Sequence, residues 1–299
     1  MTIAALSDLL TDAREHRYAV GYFEAWDVYS LEAVVAAAEA EESPVIIGIG
    51  GLTANHAWLR EQGIAVYGAV AAMLAERAKT PTAVMYNEAD SLDEARSALG
   101  CGFNTVMMVG QGMTMERLIE TTAALVAEAH AARVAVEGEF DELGEMRDGV
   151  LHDEEARLTD VDAAVEFVRR TNVDCLAVSV GSVHFVTGGY TPTLHTSRIR
   201  ELADALTVPL VLHGGSGVPP EQLQAAVEAG ISKVNVGTRL KQVFGEGLAL
   251  GLQRASADPN LTYGSRLPGD AMTAAALALT QEIRRYMQTL GSSGKAANK

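Results

Sequence analysis

Cysteine is scarce in this chain: Cys101 and Cys175 are the only two among 299 residues. They lie far apart in apolar surroundings and show neither disulfide nor metal-ligand spacing. They read as buried thiols of a reducing, cytoplasmic protein. Positive charge is short as well. Lys and Arg total 23 against 39 Asp and Glu, a formal net charge of -16. Phosphate backbones and anionic lipid surfaces require a basic face, so nucleic-acid and membrane-surface partners are not expected. A phosphorylated small molecule is not excluded, because amide dipoles act inside a pocket whatever the net charge. No apolar run approaches the ~20 residues of a membrane span. The opening segment interleaves Asp8, Asp12 and Glu15 with leucines, which is the pattern of an amphipathic helix rather than a signal peptide. No G-x-G-x-x-G follows the first expected strand, which argues against dinucleotide binding.

What is present is alternation. Apolar runs at 18–23, 44–50, 82–87, 105–110, 133–140, 175–181, 209–214 and 233–237 are each followed by a stretch of helical character, for example 30–40, 68–78, 114–132, 161–170 and 220–229. Unbroken apolar strands are expected where a parallel sheet is covered on both faces. Eight strand-then-helix units without a linker predict an α/β fold, a (β/α)8 barrel forming one domain over residues 1–290. It carries an N-terminal helix and an extra helix at 271–288, whose apolar face must cover either the barrel or a partner subunit. The small polar segment 291–299 is expected to be a flexible tail. The acidic, aperiodic stretch 141–160 reads either as a lid over the site or as a solvated excursion.

In a barrel the chemistry sits at the C-terminal ends of the strands. Those ends read Glu24, Gly51, Asn87 with Glu88, Gln111, Glu139, His184, His213, and Asn235 with Thr238. The last two units are the most telling. Val211-Leu212-His213-Gly214-Gly215-Ser216-Gly217 and Lys233-Val234-Asn235-Val236-Gly237-Thr238 each run from a strand into a turn that opens a helix. Amides at such turns bind phosphate favourably, and a barrel builds its phosphate site after strands seven and eight. Gly181, Gly214, Gly215, Ser216, Gly237 and Thr238 are the candidate contacts. His184 and His213 close apolar strands and can meet at one ion, with Glu88 completing a two-histidine, one-carboxylate set suited to zinc or iron. The alternative is two independent hydrogen-bonded histidines and a solvated carboxylate. Glu137 and Glu139 share one side of strand five, and Lys233 and Asn235 one side of strand eight. Lys233 pairing with Glu137 is the plainer reading of that lysine, a Schiff-base role the other. His16, His56, His130 and His195 fall on helical or loop stretches and are expected to be surface or capping residues, whereas His152 lies in the acidic stretch within possible reach of the mouth.

These blocks, with Tyr18-Ala19-Val20, Ser43-Pro44-Val45-Ile46-Ile47, Val136-Glu137-Gly138-Glu139 and the run Leu176 to His184, resemble the class II, metal-dependent ketose-bisphosphate aldolases from Tyr18 to about Phe244. The resemblance implies a (β/α)8 barrel, usually a homodimer or homotetramer. It implies cleavage of a carbon–carbon bond in a phosphorylated ketose, with zinc polarising the carbonyl of the dihydroxyacetone phosphate half. His184 and His213 match two of the family's three zinc histidines, Gly214, Ser216 and Thr238 its phosphate contacts, Asn235 its enediolate-binding asparagine and Glu139 its strand-five acid. The departures cluster. The family's strand-three Asp-His, acid/base and third ligand, reads Asn87-Glu88. Its strand-four aspartate reads Val109 and its strand-one asparagine Glu24. The glycine after the strand-six histidine reads Phe185, the acidic loop residue falls near Arg147, and the residue before the last threonine reads Gly237. Asparagine cannot serve as a carboxylate base, so the expectation is a retained phosphosugar handle joined to altered chemistry, with Glu24, Glu88 or a loop residue moving the proton. The other readings are a metal-free phosphosugar epimerase or isomerase, a Schiff-base aldolase using Lys233, and a non-catalytic phosphosugar-binding protein.

Overall fold

In a computed structural model, which describes residues 3–50, 54–141, 143–147, 150–152, 157–186 and 190–296, eight parallel strands close into a barrel. They are β1 (Val20–Glu24), β2 (Val45–Gly50), β3 (Thr82–Ala89), β4 (Thr105–Met108), β5 (Ala135–Gly138), β6 (Cys175–Ala177), β7 (Leu210–Leu212) and β8 (Ile231–Val236). Neighbours follow chain order around the ring, and β8 returns to β1 with Tyr22 beside Asn235. The eightfold reading of the sequence is therefore met.

Alternation along each strand separates two cores. Phe23, Ile47, Val84, Val136, Leu212 and Val234 face outward into the helical shell. Val20, Tyr22, Ile46, Met85, Met107, Ala177 and Val211 face inward, where Leu6, Leu9, Leu10 and Ala13 of the N-terminal helix Leu6–His16 plug the bottom of the barrel. The same inward parity carries Glu24, Asn87, Glu137, Glu139, His213, Lys233 and Asn235. Thus the lumen is apolar below and polar above.

Several strands stop earlier than the apolar runs suggested. β6 ends at Ala177 because its continuation leaves the ladder: Ser179 N–H donates to Thr159 Oγ1 (2.8 Å), and Thr159 N–H donates to the Ser179 carbonyl (2.8 Å). The helix Ala271–Thr289 covers the barrel's helical shell, burying Leu279, Ile283 and Met287. It packs tightly on the helix Thr238–Gln253: a Cβ at Gly247 would lie 2.9 Å from the Ala275 Cα.

Two expectations are corrected. Of the segment 291–299 expected to be a flexible tail, residues 291–296 are docked, and 297–299 lie outside the described residues. Ser292 is buried and bonded to Ser43 Oγ at 2.8 Å, and the Gly294 and Ala296 amides each donate at 2.8 Å to the Glu41 and Glu42 carbonyls. Small size and polarity do not loosen a tail whose amides find free helix-end carbonyls. Cys101 is only half-buried, whereas Cys175 is fully buried, and both thiols are unpaired.

Candidate active site at the C-terminal mouth of the barrel

His213 follows β7 into the lumen and is 1% exposed. Its Nε2 lies 2.9 Å from Glu137 Oε1, and its Nδ1 lies 3.3 Å from Glu88 Oε1 and 4.0 Å from Glu139 Oε1. Glu137 is equally buried. Its second oxygen accepts from Lys233 Nζ at 2.7 Å and from the Cys175 thiol at 3.4 Å. Lys233 also donates to Asn235 Oδ1 at 2.6 Å, which turns the amide nitrogen of Asn235 toward His213 at 3.0 Å. An amide nitrogen only donates, so the proton on Nε2 belongs with the anionic Glu137 and the Asn235 approach is a contact. Nδ1 then faces Glu88 and Glu139, buried without closing a hydrogen bond.

Burial would raise the Glu137 carboxyl, but Lys233 and His213 outweigh it and hold the group down to about 2. Burial likewise opposes a charged His213, yet the carboxylates of Glu137, Glu88 and Glu139 lift it to about 10. Glu139 is pushed up to about 7, chiefly by burial and then by its anionic neighbours Glu88, Glu137 and Asp141. Its Oε1 has no partner. The fully enclosed Lys233–Glu137 pair confirms the plainer reading of Lys233.

Strict alternation would aim Asn87 and Glu88 to opposite sides of β3. A register shift against β4 between Tyr86 and Ala89, with Glu88 at φ 59°, turns Glu88 inward as well. One ligand atom each from Glu88, His184 and His213 lie within 4.8 Å of one another, and the two imidazole centroids are 5.8 Å apart. The two rings therefore stand edge to face beside one another. Burial holds His184 below the usual histidine range. Glu88 stays below the carboxylate range, because His213, His184 and Lys233 outweigh its burial. An imidazole nitrogen that closes no hydrogen bond, beside a second imidazole and a carboxylate, is a donor set that fits a divalent ion once the ion displaces its proton.

His184 sits on the two-residue strand Val183–His184, and the acidic stretch packs beside it. Gly144–Arg147 and Val150–His152 form an antiparallel hairpin, and the former pairs in parallel with Val183–His184. Met146, Val183 and Val186 make its small apolar core. The described residues of the stretch pair with the strand that carries His184, rather than standing apart as a lid or a solvated excursion. His152 is exposed there. Phe185 adopts φ 56°, a left-handed conformation that favours glycine, and its ring lies against His184.

The glycine turns expected to take phosphate adjoin this centre. Gly214 (φ 68°) and Gly181 (φ 103°) must be glycine, since a Cβ would stand 2.5 Å from the Val183 carbonyl oxygen and 2.2 Å from that of Thr193. Gly215 packs under the Asn235 carbonyl, where a Cβ would approach to 2.8 Å. Ser216 Oγ accepts from the Gly237 amide at 3.0 Å, tying the two turns together. Thr238 opens the helix Thr238–Gln253. Gln111 is exposed and takes no part, Val109 packs with the inner apolar core, and Gly51 and the Arg147 side chain lie outside the described residues. His16, His130 and His195 occupy the helical and capping places expected of them.

Two features escaped the sequence. Lys241, one turn into the helix after β8, pairs with Glu24 at 2.7 Å; its spacing from Thr238 was the available signal. His56 joins Asp90 and Glu94 in a second acidic group, but Arg60 Nη1 already bonds both carboxylates at 2.9 and 3.0 Å and Tyr86 donates to Glu94 at 2.7 Å. That group has its cation built in.

The family model "Fructose-bisphosphate aldolase class-II" matches residues 4–295. The chain is 32% identical over 298 residues to a fructose-bisphosphate aldolase of Geobacillus stearothermophilus, covering 99% of this chain and 100% of that one. It is 31% identical to a 6-phospho-5-dehydro-2-deoxy-D-gluconate aldolase of Shouchella clausii, covering 99% and 97%. Among solved structures, the YdjI aldolase of Escherichia coli K12 superposes with a TM-score of 0.82 at 26% identity over 99% of this chain and 100% of that one. Fold, mouth geometry and kinship agree: the chain belongs to the class-II fructose-bisphosphate aldolase family and is an aldolase-type carbon–carbon lyase for a phosphorylated ketose.

Proposed function

We propose that Glu88, His184 and His213 hold a divalent ion, zinc as the first candidate, and that the adjoining turns hold the phosphate of a dihydroxyacetone-phosphate-like half. The observation that carries this reading is the buried Nδ1 of His213, which closes no hydrogen bond and faces Glu88 at 3.3 Å within the three-residue donor group. A bound ion supplies Lewis-acid polarisation of the substrate carbonyl. Gly181, Gly214, Gly215, Ser216 and Thr238 orient the phosphate, with Gly237 fixed to Ser216 as the brace between the two turns. Asn235, locked by Lys233, presents its amide to the oxygen that gains charge. Asn87, buried with its Oδ1 unpartnered, offers a hydrogen bond but no acid/base function. Glu139 is the carboxylate with a free oxygen beside the centre and takes the proton-moving role.

Lys233 is not offered as a nucleophile. Its Nζ is fully enclosed and committed to Glu137 and Asn235. The proposal extends to a cytoplasmic homodimer or homotetramer. Two unpaired thiols support the reducing compartment, and Leu250, Leu261, Tyr263, Leu267 and Leu277 offer exposed apolar surface for association.

Elemental analysis of the purified protein tests the ion site. About one divalent ion per chain is expected, with occupancy lost in Glu88→Gln and His213→Ala. A metal-free wild type that also fails to take up zinc in calorimetry would refute the proposal.

A further inference from the structure

Glu24 ends β1 and faces the lumen. Its Oε1 accepts from Lys241 Nζ at 2.7 Å. Its Oε2 lies 2.1 Å from the place a Cβ on Gly237 would occupy, and its Oε1 lies 3.2 Å from the equivalent place on Gly50. The end of β2 and the turn that follows β8, on either side of β1, are therefore both bare of side chain where this carboxylate sits. The backbone does not require glycine at 237: its φ is -134°, outside the left-handed region. What excludes a side chain there is the carboxylate of Glu24. The two positions interlock.

The direction of this carboxylate matters. The Gly237 amide points toward β7 and is held by Ser216 at 3.0 Å, on the side of the phosphate turns. Glu24 approaches Gly237 from the opposite side, that of β1. Tyr22 is level with Asn235 in the barrel register, so Glu24 stands two residues, roughly 7 Å, nearer the mouth than Asn235. One oxygen is committed to Lys241. The other can only accept, and it would repel a phosphate or carboxylate placed against it.

We propose that Glu24 is a specificity-determining residue whose Oε2 accepts a hydrogen bond from a hydroxyl on the aldehyde half of the substrate, opposite the phosphate turns, and that Gly237 is the matched gap that admits it. The assignment rests on the aldolase reading above. It names a neutral, hydroxyl-bearing aldehyde carbon chain, rather than an anionic one, as what passes this side of the mouth.

The test measures kcat/KM for aldol addition of dihydroxyacetone phosphate to propanal, 2-hydroxypropanal and 3-hydroxypropanal. A hydrogen bond to a charged acceptor is worth roughly ten- to hundredfold. The wild type is expected to favour one hydroxyaldehyde over propanal by that factor, and Glu24→Gln to reduce the preference to about threefold or less. Gly237→Ala, which keeps Glu24 but displaces its carboxylate, is expected to do the same and decides the matter if Glu24→Gln fails to fold. A wild type indifferent to both hydroxyls, or a preference that survives either variant, overturns the assignment. Solvent deuterium exchange into dihydroxyacetone phosphate without aldehyde reports the donor half alone. Exchange without hydroxyl preference sinks only the role of Glu24, whereas a wild type with no exchange overturns the aldolase reading and this inference with it.

Discussion

Replacing Lys233 with methionine probes the polar layer most directly. Lys233 and Glu137 are both fully buried, 2.7 Å apart, and the lysine's other donor distance, 2.6 Å, fixes Asn235. Methionine approximates the volume of the stem, so the main effect is electrostatic: a buried carboxylate loses its cation. Removing one member of such a pair typically costs about 3–5 kcal/mol. His213 remains on the other oxygen of Glu137 at 2.9 Å, which places the expected loss near the lower end. A fall of about 3 kcal/mol corresponds to roughly 5–10 °C in Tm.

The pH dependence gives a second reading of the same pair. Glu137 is held down to about 2 when folded, below its unfolded value of about 4.3. Between these values the unfolded chain binds the extra proton, so stability rises with pH. The contribution is complete above the unfolded value and is lost as pH falls through the folded one. Lys233→Met raises the folded value and flattens that acid-side slope. Urea titrations of Lys233→Met, Glu137→Gln and the double variant at pH 7.5 and across pH 2–5 measure both effects. The double variant is expected to be more stable than the sum of the singles predicts, by at least about 2 kcal/mol. A single-variant cost under about 1 kcal/mol, or additivity within about 0.5 kcal/mol, would refute the account of the polar layer.

Gly214→Ala is expected to lower both stability and metal occupancy: the residue is at φ 68°, and the new Cβ would press the Val183 carbonyl 2.5 Å away, on the strand that carries His184. Unchanged metal content would separate the turn from the ion site. Asp270 caps the helix Ala271–Thr289, accepting from Met272 N–H at 2.9 Å and Arg266 N–H at 2.7 Å. Asp270→Ala should cost about 1–2 kcal/mol in urea titration and Asp270→Asn much less. Although burial opposes it, those backbone donors hold the Asp270 carboxyl below its usual range. Its contribution is therefore present above about pH 4 and lost as pH falls through the depressed folded value. Asp270→Asn should weaken the acid-side loss, and an unaltered profile would count against the cap.

The repeating strand–helix order, the apolar strand runs and the glycine turns after β7 and β8 were sufficient in sequence for the barrel, its mouth and the place of His213, because they follow from period and position along a strand; His184, expected to close the sixth strand, instead lies on a short strand of the second sheet, beyond the end of β6 at Ala177. Lys233 with Glu137 was legible for the same reason: each lies at an inward position of its own strand. Glu88 was legible only as a residue type, since strict alternation points it outward; the register shift and the left-handed φ that turn it inward arise from pairing with β4. The hairpin behind His184 lacked periodicity of its own and exists through packing of Met146 on Val183 and Val186. Arg60, filling the second acidic group, and Lys241, reaching Glu24 across 217 residues of sequence, carry no local signal that names their partners. The docking of residues 291–296 was equally hidden. Local sequence sets which way a chain turns and what it can bond; which distant group meets it is decided only when the barrel closes and brings the strand ends together.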